Sequence, residues 1–390
     1  MDAVTNPYAP GAGTRPPELA GRDDIRSRVA VCIARLQKGR HDKSILMVGL
    51  RGVGKTVLLD QMRHDAEAAG AHTLRIEAPE DRSLPAILAP QLRIALLRLS
   101  RIEAAKDFAI RGLKALAGFA GALKVSYADI EVGIDAEAIP GLADNGDLES
   151  DLGALLCEAG QAAQKAGTVL VMFIDEMQYI AEDQFGALIS ALHRCNHEGL
   201  PITLVGAGLP QLLARAGNAK SYAERLFDFP MIGALDRASA SRAITKPAED
   251  EGVAYAPDAV DQIVDQTHGY PYFLQEWGKH SWDAAPNSPI SANDVGNATQ
   301  TALAALDESF FRVRLDRLTP AEKRYLRAMA ELGPGPHRSG DIAEQLKTKV
   351  QSVAPTRNGL ITKGMIWSPS HGDTAFTVPL FDEFMKRIMP

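Results

Sequence analysis

The chain has 390 residues, of which 46% are hydrophobic and 23% are charged, and its formal net charge is −7. This length exceeds one ordinary hydrophobic core, so we expect two or three globular domains. The negative charge argues against a protein coated in nucleic acid but allows a local basic face. Three widely separated cysteines fit neither a disulfide framework nor a zinc site. Because we find neither a signal-peptide pattern nor an apolar run that could span a bilayer, we expect a cytoplasmic protein.

In chain order, the first half predicts strands that alternate with helices. Residues 1–20 are rich in proline and glycine and predict an extended arm that lies on the first domain. Helical periodicity follows over residues 23–37. Four strands are then predicted, at residues 44–50, 72–78, 167–180 and 200–208, and the continuous apolar character of the first and third indicates that they are buried. Strands separated by helices indicate an α/β fold with a parallel, doubly wound sheet.

The remaining segments predict an insertion and two further domains. Residues 101–148 look like an insertion, with an Ala/Gly-rich helix and an alternation from Val125 to Ile134 that predicts a β-hairpin. Strand signals vanish after about residue 235, and the C-terminal part predicts three helices followed by two strands, the order of a winged helix-turn-helix. The predicted organisation is an arm (1–20), a core (21–234, with the 101–148 insertion), a helical subdomain (235–318) and a winged helix (319–390).

Residues 49–56 read GLRGVGKT and match the phosphate-binding pattern G-x-x-x-x-G-K-[ST] without a mismatch. Glycines let backbone N–H groups face phosphate oxygens, and the N-terminus of the following helix adds its positive dipole end. Lys55 would reach the β- and γ-phosphates, and the Thr56 hydroxyl would ligate Mg²⁺. The alternative is a glycine-rich turn without a ligand, but the position between a strand and a helix favours a nucleotide. The expected contacts are Gly49, Gly52, Val53, Gly54, Lys55, Thr56 and Val57.

The stretch VLVMFIDEMQYI places two acids at the end of another buried strand. In P-loop enzymes an acid at this place holds Mg²⁺, which is the role we expect for Asp175. Glu176 would act as the general base on the attacking water. The alternative is an acid pair at a helix N-terminus, stabilised by the helix dipole. No N/T-K-x-D sequence for guanine recognition is present, so ATP is favoured over GTP.

With these motifs, the segments ELAGRDDI, FIDEMQYI, SYAERLFDF and HGYPYFLQEW make the chain resemble the AAA+-like ATPases of the origin-recognition and archaeal-ATPase type. The related STAND signalling ATPases share much of this layout. The resemblance covers nearly the whole chain except residues 101–148. It implies an ATPase core, a helical lid and a C-terminal winged helix. It also implies that Gly21, Arg22 and Tyr8 border the adenine, and that Pro271 belongs to the lid motif GYPYF.

The same resemblance places Arg225 near the arginine-finger position, where it would offer its charge to a γ-phosphate in its own or a neighbouring subunit. The alternative is a surface ion pair with Glu224 or Asp228. The chain also departs from the family pattern. Its fourth strand ends without the usual polar sensor, for which Gln211 is a weak substitute, and its lid helix lacks the sensor arginine. Both departures favour a slow, switch-like ATPase over a processive ring motor.

Residues 319–390 contain ten Lys and Arg against seven Asp and Glu, a net charge of +3 inside a chain of −7. Lys347, Lys349, Arg357 and Lys363 suit contacts with phosphates and base edges, which favours duplex DNA. Alternatively, the winged helix packs on its own core or on a protein partner, or supports self-association, since +3 is modest and Pro355 falls inside the recognition segment. The two hypotheses are a DNA-engaging ATPase and a signalling switch for which ATP is mainly a structural ligand.

Overall fold

The computed structural model describes residues 1–11, 13–123 and 137–389. Its contacts divide the chain into two compact units. We call Arg22–Val48 with Lys55–Met231 the sheet unit, and Met1–Gly21 with Gly49–Gly54 and Ile232–Pro390 the helical unit. The predicted hairpin at residues 125–134 lies outside the described residues. Within the described ranges, every helix is too short or too polar to cross a membrane.

The sheet unit is built on a parallel sheet. Its strands are β1 (Ser44–Gly49), β2 (His72–Glu77), β3 (Leu170–Asp175), β4 (Ile202–Gly208), β5 (Phe227–Asp228) and β6 (Met231–Ile232). The order is β2-β3-β4-β1-β5 with parallel neighbours, and β6 also pairs with β1. β1, β3 and β4 are buried along their whole length, which explains their continuous apolar sequences. The predicted parallel α/β fold is therefore confirmed.

Eight α-helices of the sheet unit are described. They are α1 (Asp23–Gln37), α2 (Lys55–Ala68), α3 (Leu84–Leu99), α4 (Lys106–Ala122), α5 (Leu148–Lys165), α6 (Glu182–His197), α7 (Gln211–Ala219) and α8 (Ala223–Leu226), with 3-10 turns at Glu103–Ala105 and Met177–Tyr179. α4 is the Ala/Gly-rich helix of the predicted insertion. It packs against α3 and α5, and a Cβ on its Gly112 would lie 2.7 Å from the Leu96 side chain. This helix is therefore part of the core, and its small residues permit the close approach.

The helical unit contains the second half of the chain. Its described α-helices are α9 (Arg237–Asp250), α10 (Pro257–Thr267), α11 (Pro271–Ala284), α12 (Ala292–Ala305), α13 (Arg312–Leu315), α14 (Pro320–Glu331), α15 (Ser339–Gln345), α16 (Val350–Thr362) and α17 (Phe381–Ile388). A π-helical turn, Leu306–Phe311, joins α12 to α13, and a 3-10 turn forms at Ala3–Thr5. Capping boxes begin α12 at Ser291 and α14 at Thr319, so the sequence fixes where these helices start.

The N-terminal arm packs on α9 and α11 of the helical unit. The Tyr8 ring is buried and its hydroxyl donates to the Ile244 carbonyl. The Trp282 indole N–H donates to the Asp2 carbonyl at 2.9 Å. We expected this arm to lie on the first domain. The contacts of Tyr8 and Asp2 are instead with helices α9 and α11. Its aromatic and carbonyl groups find their partners on helices that follow more than 200 residues later in the chain, which local sequence patterns do not encode.

Residues 319–389, which we call the C-terminal segment, form a small antiparallel sheet beside helices. The strands β7 (His337–Arg338), β8 (Ile366–Trp367) and β9 (Asp373–Phe376) pair in the order β7-β9-β8. The segment is tied to the π-helical turn, because Phe311 stacks on Phe384 of α17 with ring centroids 5.1 Å apart. A bidentate pair between Arg387 and Asp307, at 2.6 and 3.0 Å, joins the same two elements.

Candidate nucleotide site

The phosphate-binding loop connects β1 to α2, as predicted from the sequence. Gly52 and Gly54 have φ values of +81° and +86°, a conformation that residues with a side chain rarely adopt. A Cβ on Gly54 would meet nothing within 4 Å, whereas one on Gly52 would lie 2.9 Å from the Tyr270 ring. Val53 is buried, Gly49 ends β1, and Val57 lies in the first turn of α2. The loop thus has two glycines in the left-handed backbone conformation that phosphate-binding loops use.

Lys55 and Thr56 begin α2, and Thr56 contacts the predicted metal-binding acid. The Thr56 hydroxyl forms a hydrogen bond with the Asp175 carboxyl at the end of β3. In the sheet, β4 lies between β1 and β3, and all three strands run in parallel, so the loop and the acid follow the same edge. Lys55 is only 8% exposed, which is unusual for a lysine. The sequence-predicted residues Thr56 and Asp175 are therefore brought together.

Asp175 is nearly inaccessible, with 2% exposure. Burial raises the pKa of this carboxyl, and the negative charge of Glu176 raises it further, against the Thr56 hydrogen bond and the Arg75 charge, which lower it. The Arg75 guanidinium lies 3.5 Å from the carboxylate and 2.7 Å from Asp60. A hydroxyl beside a buried carboxylate supplies the oxygen ligands that Mg²⁺ prefers. A bound dication would stabilise the ionised form that burial disfavours, so these residues fit the metal.

Glu176 follows Asp175 in a left-handed conformation, with φ 52° and ψ 37°. A side-chain-bearing residue in this region is uncommon, and such residues cluster at functional sites. Its N–H donates to the Asp175 carboxylate at 2.9 Å. Its carboxylate accepts a hydrogen bond from the Gln178 side-chain amide. The side-chain amide oxygen of Gln178, Oε1, accepts from the Leu209 N–H at 3.0 Å. Gln178 therefore links the predicted general base to the end of β4.

Sequence reasoning missed Gln178 and named Gln211 as the polar group near the end of β4. The Gln211 side-chain oxygen is buried and has no hydrogen-bond partner among the described residues. The only local signal was the spacing of Gln178 two residues after Glu176, on the 3-10 turn that follows the strand. Its link to Leu209 depends on the sheet order, which a single segment does not reveal.

Arg225 is exposed on the short helix α8. The predicted alternative was an ion pair with Glu224 or Asp228. Asp228 pairs instead with Arg28, and within the described ranges no acid forms an ion pair with Arg225. This placement keeps the arginine accessible, and the finger role remains a prediction.

The residues predicted to border the adenine lie in different surroundings. Gly21 has φ +66°, and a Cβ there would lie 2.7 Å from the Ser239 hydroxyl. Arg22 precedes α1, Tyr8 is buried within the helical unit against α9, and Pro271 begins α11. The motif around Pro271 does reach the phosphate loop, because the N–H of Tyr272 donates to the Gly52 carbonyl at 3.3 Å. The adenine contacts themselves stay predictions.

The four basic residues predicted to contact DNA divide into two pairs. Lys347 and Lys349 are exposed before α16. Arg357 is tied into its own domain: its guanidinium donates to hydroxyl and carbonyl groups of Ser368, Asp373 and Thr374 at 2.8 to 2.9 Å.

Lys363, the fourth of these residues, is 2.8 Å from the buried Glu322 carboxylate. It also donates to the Arg317 carbonyl at 3.3 Å. Both Lys363 and Arg357 therefore have structural partners, and the two exposed lysines are the ones available to a ligand.

Comparisons with known proteins agree with this geometry. A family model described as an AAA ATPase domain matches residues 18–205, and a Domain of unknown function (DUF8462) matches residues 308–385. A search of the curated proteins found no match. Among solved structures, a Walker-type ATPase of Pyrococcus abyssi is 14% identical with a TM-score of 0.61, over 96% of this chain and 97% of that chain.

Two further structures are less similar in shape. Cdc6p from Pyrobaculum aerophilum is 15% identical with a TM-score of 0.49, over 100% of this chain and 99% of that chain. The Aeropyrum pernix ORC1 protein, solved in complex with DNA, is 16% identical with a TM-score of 0.47, over 96% of this chain and 94% of that chain. At these identities the structural likeness concerns the fold.

Proposed function

We propose that the chain is an AAA+-like P-loop ATPase, since a family model described as an AAA ATPase domain matches residues 18–205, and that it binds ATP with Mg²⁺ and hydrolyses it slowly. The observation that carries this proposal is the hydrogen bond between Thr56, directly after the phosphate loop, and Asp175 at the end of β3. These two oxygen donors would hold the metal, which when bound would neutralise charge on the phosphates.

The proposed hydrolysis divides the chemistry among a few side chains. Glu176 would accept a proton from the water that attacks the γ-phosphate in line. Lys55 and the backbone N–H groups of the loop would stabilise the charge that develops on the phosphate oxygens. Gln178 donates to the Glu176 carboxylate and so would orient it. Exposed Arg225 could add a further positive charge from a neighbouring copy of the chain, the role of an arginine finger.

We further propose that residues 319–390 form a winged helix that responds to the nucleotide. The Tyr272 N–H donates to the Gly52 carbonyl of the loop at 3.3 Å. The Tyr272 ring stacks on Phe310 with centroids 4.5 Å apart, and Phe310 contacts Phe311 at 5.4 Å. Phe311 in turn stacks on Phe384 of the C-terminal segment. This continuous aromatic packing supports a switch in which the loop and the C-terminal segment change together.

DNA contact is the second candidate function, and the observation in its favour is the exposure of Lys347 and Lys349 at the start of α16. The N-terminus of a helix favours phosphate groups, and two lysines there add to that attraction. The internal partners of Arg357 and Lys363 weigh toward the switch. We therefore rank the nucleotide switch first.

Titration calorimetry with ATP, with and without Mg²⁺, tests the nucleotide site. We expect the wild type to bind ATP more tightly with Mg²⁺, and Lys55→Ala to lose this binding, whereas the matched change Lys38→Ala at an exposed position should have no effect. Equal binding by Lys55→Ala and the wild type would refute the site. For the switch, hydrogen exchange should slow at residues 306–315 when ATP is added to the wild type, and unchanged exchange there would refute it.

A further inference from the structure

Arg314 of α13 lies beside the phosphate loop in the helical unit. Its guanidinium stacks on the Phe310 ring, 3.8 Å from the centroid, and donates to the Phe310 carbonyl. The Phe310 ring also stacks on the Tyr272 ring. A Cβ on Gly52 would lie 3.4 Å from Tyr272 Cβ and 3.6 Å from Phe310 Cζ. Arg314 thus packs on a ring that also lies close to Gly52 of the phosphate loop, and its charge acts on that of Arg51 in the same loop.

Two cationic groups act on Arg314. No carboxylate forms an ion pair with it among the described residues, and the two cationic groups are Arg51 of the loop and Arg317. Burial, followed by the Arg51 charge, lowers the pKa of Arg314 to about 10. The nearby acid Glu276 is engaged by Tyr272 and lies 3.6 Å from His280. A half-buried cation near like charges is unfavourable unless an anion compensates it.

Tyr270 supplies a second, independent sign of a ligand. Its side chain is 2% exposed, and its hydroxyl has no hydrogen-bond partner among the described residues. The charges of Arg314 and Arg51 both act on this hydroxyl, and the Tyr270 ring is the atom group nearest to a Cβ on Gly52, at 2.9 Å. A buried hydroxyl without a partner costs free energy, typically a few kcal/mol, so an acceptor is expected at this place.

We propose that Arg314, Arg51 and Tyr270 form a subsite for the phosphate chain of the nucleotide bound at the loop. A phosphate chain provides both the negative charge for the Arg314 guanidinium and the acceptor oxygens for the Tyr270 hydroxyl. This inference rests on the proposed nucleotide binding and identifies groups outside the phosphate-binding motif that contribute to it. Because Arg314 lies within the domain matched over residues 308–385, the nucleotide would contact the C-terminal part of the chain directly.

The test compares Arg314→Met with Arg312→Met in the full chain. Methionine keeps an unbranched apolar stem and removes the charge, and Arg312 is an exposed arginine of the same helix. Titration calorimetry with ADP and with ATP should show about tenfold to hundredfold weaker binding by Arg314→Met, the loss typical of a charge-assisted hydrogen bond. Arg312→Met should bind as the wild type does. Tyr270→Phe, which removes only the hydroxyl, should bind several-fold more weakly.

Thermal unfolding without nucleotide separates a ligand-binding arginine from a packing one. Arg314→Met should unfold at the same or a higher temperature than the wild type, because a half-buried charge without a carboxylate partner is removed. A lower unfolding temperature, or nucleotide affinities within twofold of the wild type for both Arg314→Met and Tyr270→Phe, would overturn the subsite. If the wild type itself binds neither ADP nor ATP, the proposed function fails. If it binds and the variants bind equally, the subsite alone fails.

Discussion

Gln178 accepts a hydrogen bond from the Leu209 N–H at 3.0 Å, and the same side chain donates to the Glu176 carboxylate. One amide thus connects the end of β4 to the proposed general base. Glu176 follows β3 in a left-handed conformation, so its carboxylate is not positioned by regular secondary structure. We therefore expect Gln178 to set the orientation of this carboxylate and to act as a positioning residue for the proposed hydrolysis.

We predict that Gln178→Ala lowers kcat for ATP about tenfold or more and leaves the affinity for ATP within about twofold, because only the orientation of the base is disturbed. Gln178→Glu should lower kcat as well, since it replaces a donor with a second carboxylate beside Glu176. Steady-state ATP turnover measures both values, with exposed Gln164→Ala as the control. An unchanged kcat in both variants would show that Glu176 needs no such partner.

Asp175→Asn should raise the stability of the nucleotide-free protein. It should also remove most of the stabilisation that ATP with Mg²⁺ gives the wild type. The pKa of this carboxyl in the folded chain is raised above its ordinary 3.8, chiefly by burial. The ionised form therefore opposes folding: stability present at low pH is lost as the pH rises through the raised pKa. A neutral amide removes that penalty at pH 7, so we expect an unfolding temperature higher by roughly a few degrees.

Two thermal scans at pH 7 check this prediction, one without ligand and one with ATP and Mg²⁺. The wild type should gain stability from ATP and Mg²⁺ together, and Asp175→Asn should gain much less. A ligand-free variant that unfolds at a lower temperature would mean that the Arg75 pairing outweighs the burial of the carboxylate. A variant stabilised by Mg²⁺ and ATP as strongly as the wild type would remove Asp175 from the metal site.

The sequence predicted the loop and the acid pair because each is a short motif next to a continuous apolar strand. Gly52, Lys55 and Asp175 are found where these patterns placed them. Gln178 and Arg314 could not be found in this way. The role of Gln178 depends on β4 lying beside β3, and that of Arg314 depends on the packing of α13 near a loop more than 200 residues earlier. Neither long-range contact leaves a periodic signal.

The sequence also does not show which basic residues of the C-terminal segment have partners within the chain and which are exposed. We predict that Lys347→Glu with Lys349→Glu weakens binding of duplex DNA at low salt about tenfold or more, if DNA is a ligand, because two phosphate contacts become repulsive. Fluorescence anisotropy with a labelled duplex measures this, and nucleotide affinity should not change. Absence of duplex binding by the wild type at low salt would eliminate the DNA function and leave the switch.

Arg357→Ala should act mainly on stability. Its guanidinium donates to Ser368 and Thr374 across the small sheet, so its removal should cost about 1–3 kcal/mol in the free energy of unfolding of this segment. Urea denaturation measures the loss, with exposed Lys349→Ala as the matched control. A stability equal to that of the wild type, together with weaker DNA binding, would instead return Arg357 to the DNA-contacting residues.

Phe311→Ala should destabilise the helical unit and uncouple its C-terminal segment. The ring is fully buried and stacks on Phe384, with edge contacts to Phe310 and Phe381. Removing such a ring typically costs about 3–5 kcal/mol. Thermal unfolding compared with Val313→Ala, an exposed neighbour, measures the effect. A loss below about 1 kcal/mol would mean that the aromatic packing does not hold these elements together.

ATP turnover by Glu176→Gln shows whether Glu176 is the general base for hydrolysis at this loop. Glutamine keeps the size of the side chain and removes the base, so we predict at least a hundredfold loss of kcat with ATP affinity retained. The measurement is phosphate release from ATP with Mg²⁺ by the wild type and the variant, beside an ATP-binding titration of each. Slow turnover by the wild type that disappears in the variant is the predicted result. Turnover by Glu176→Gln at the wild-type rate would show that Glu176 is not the general base.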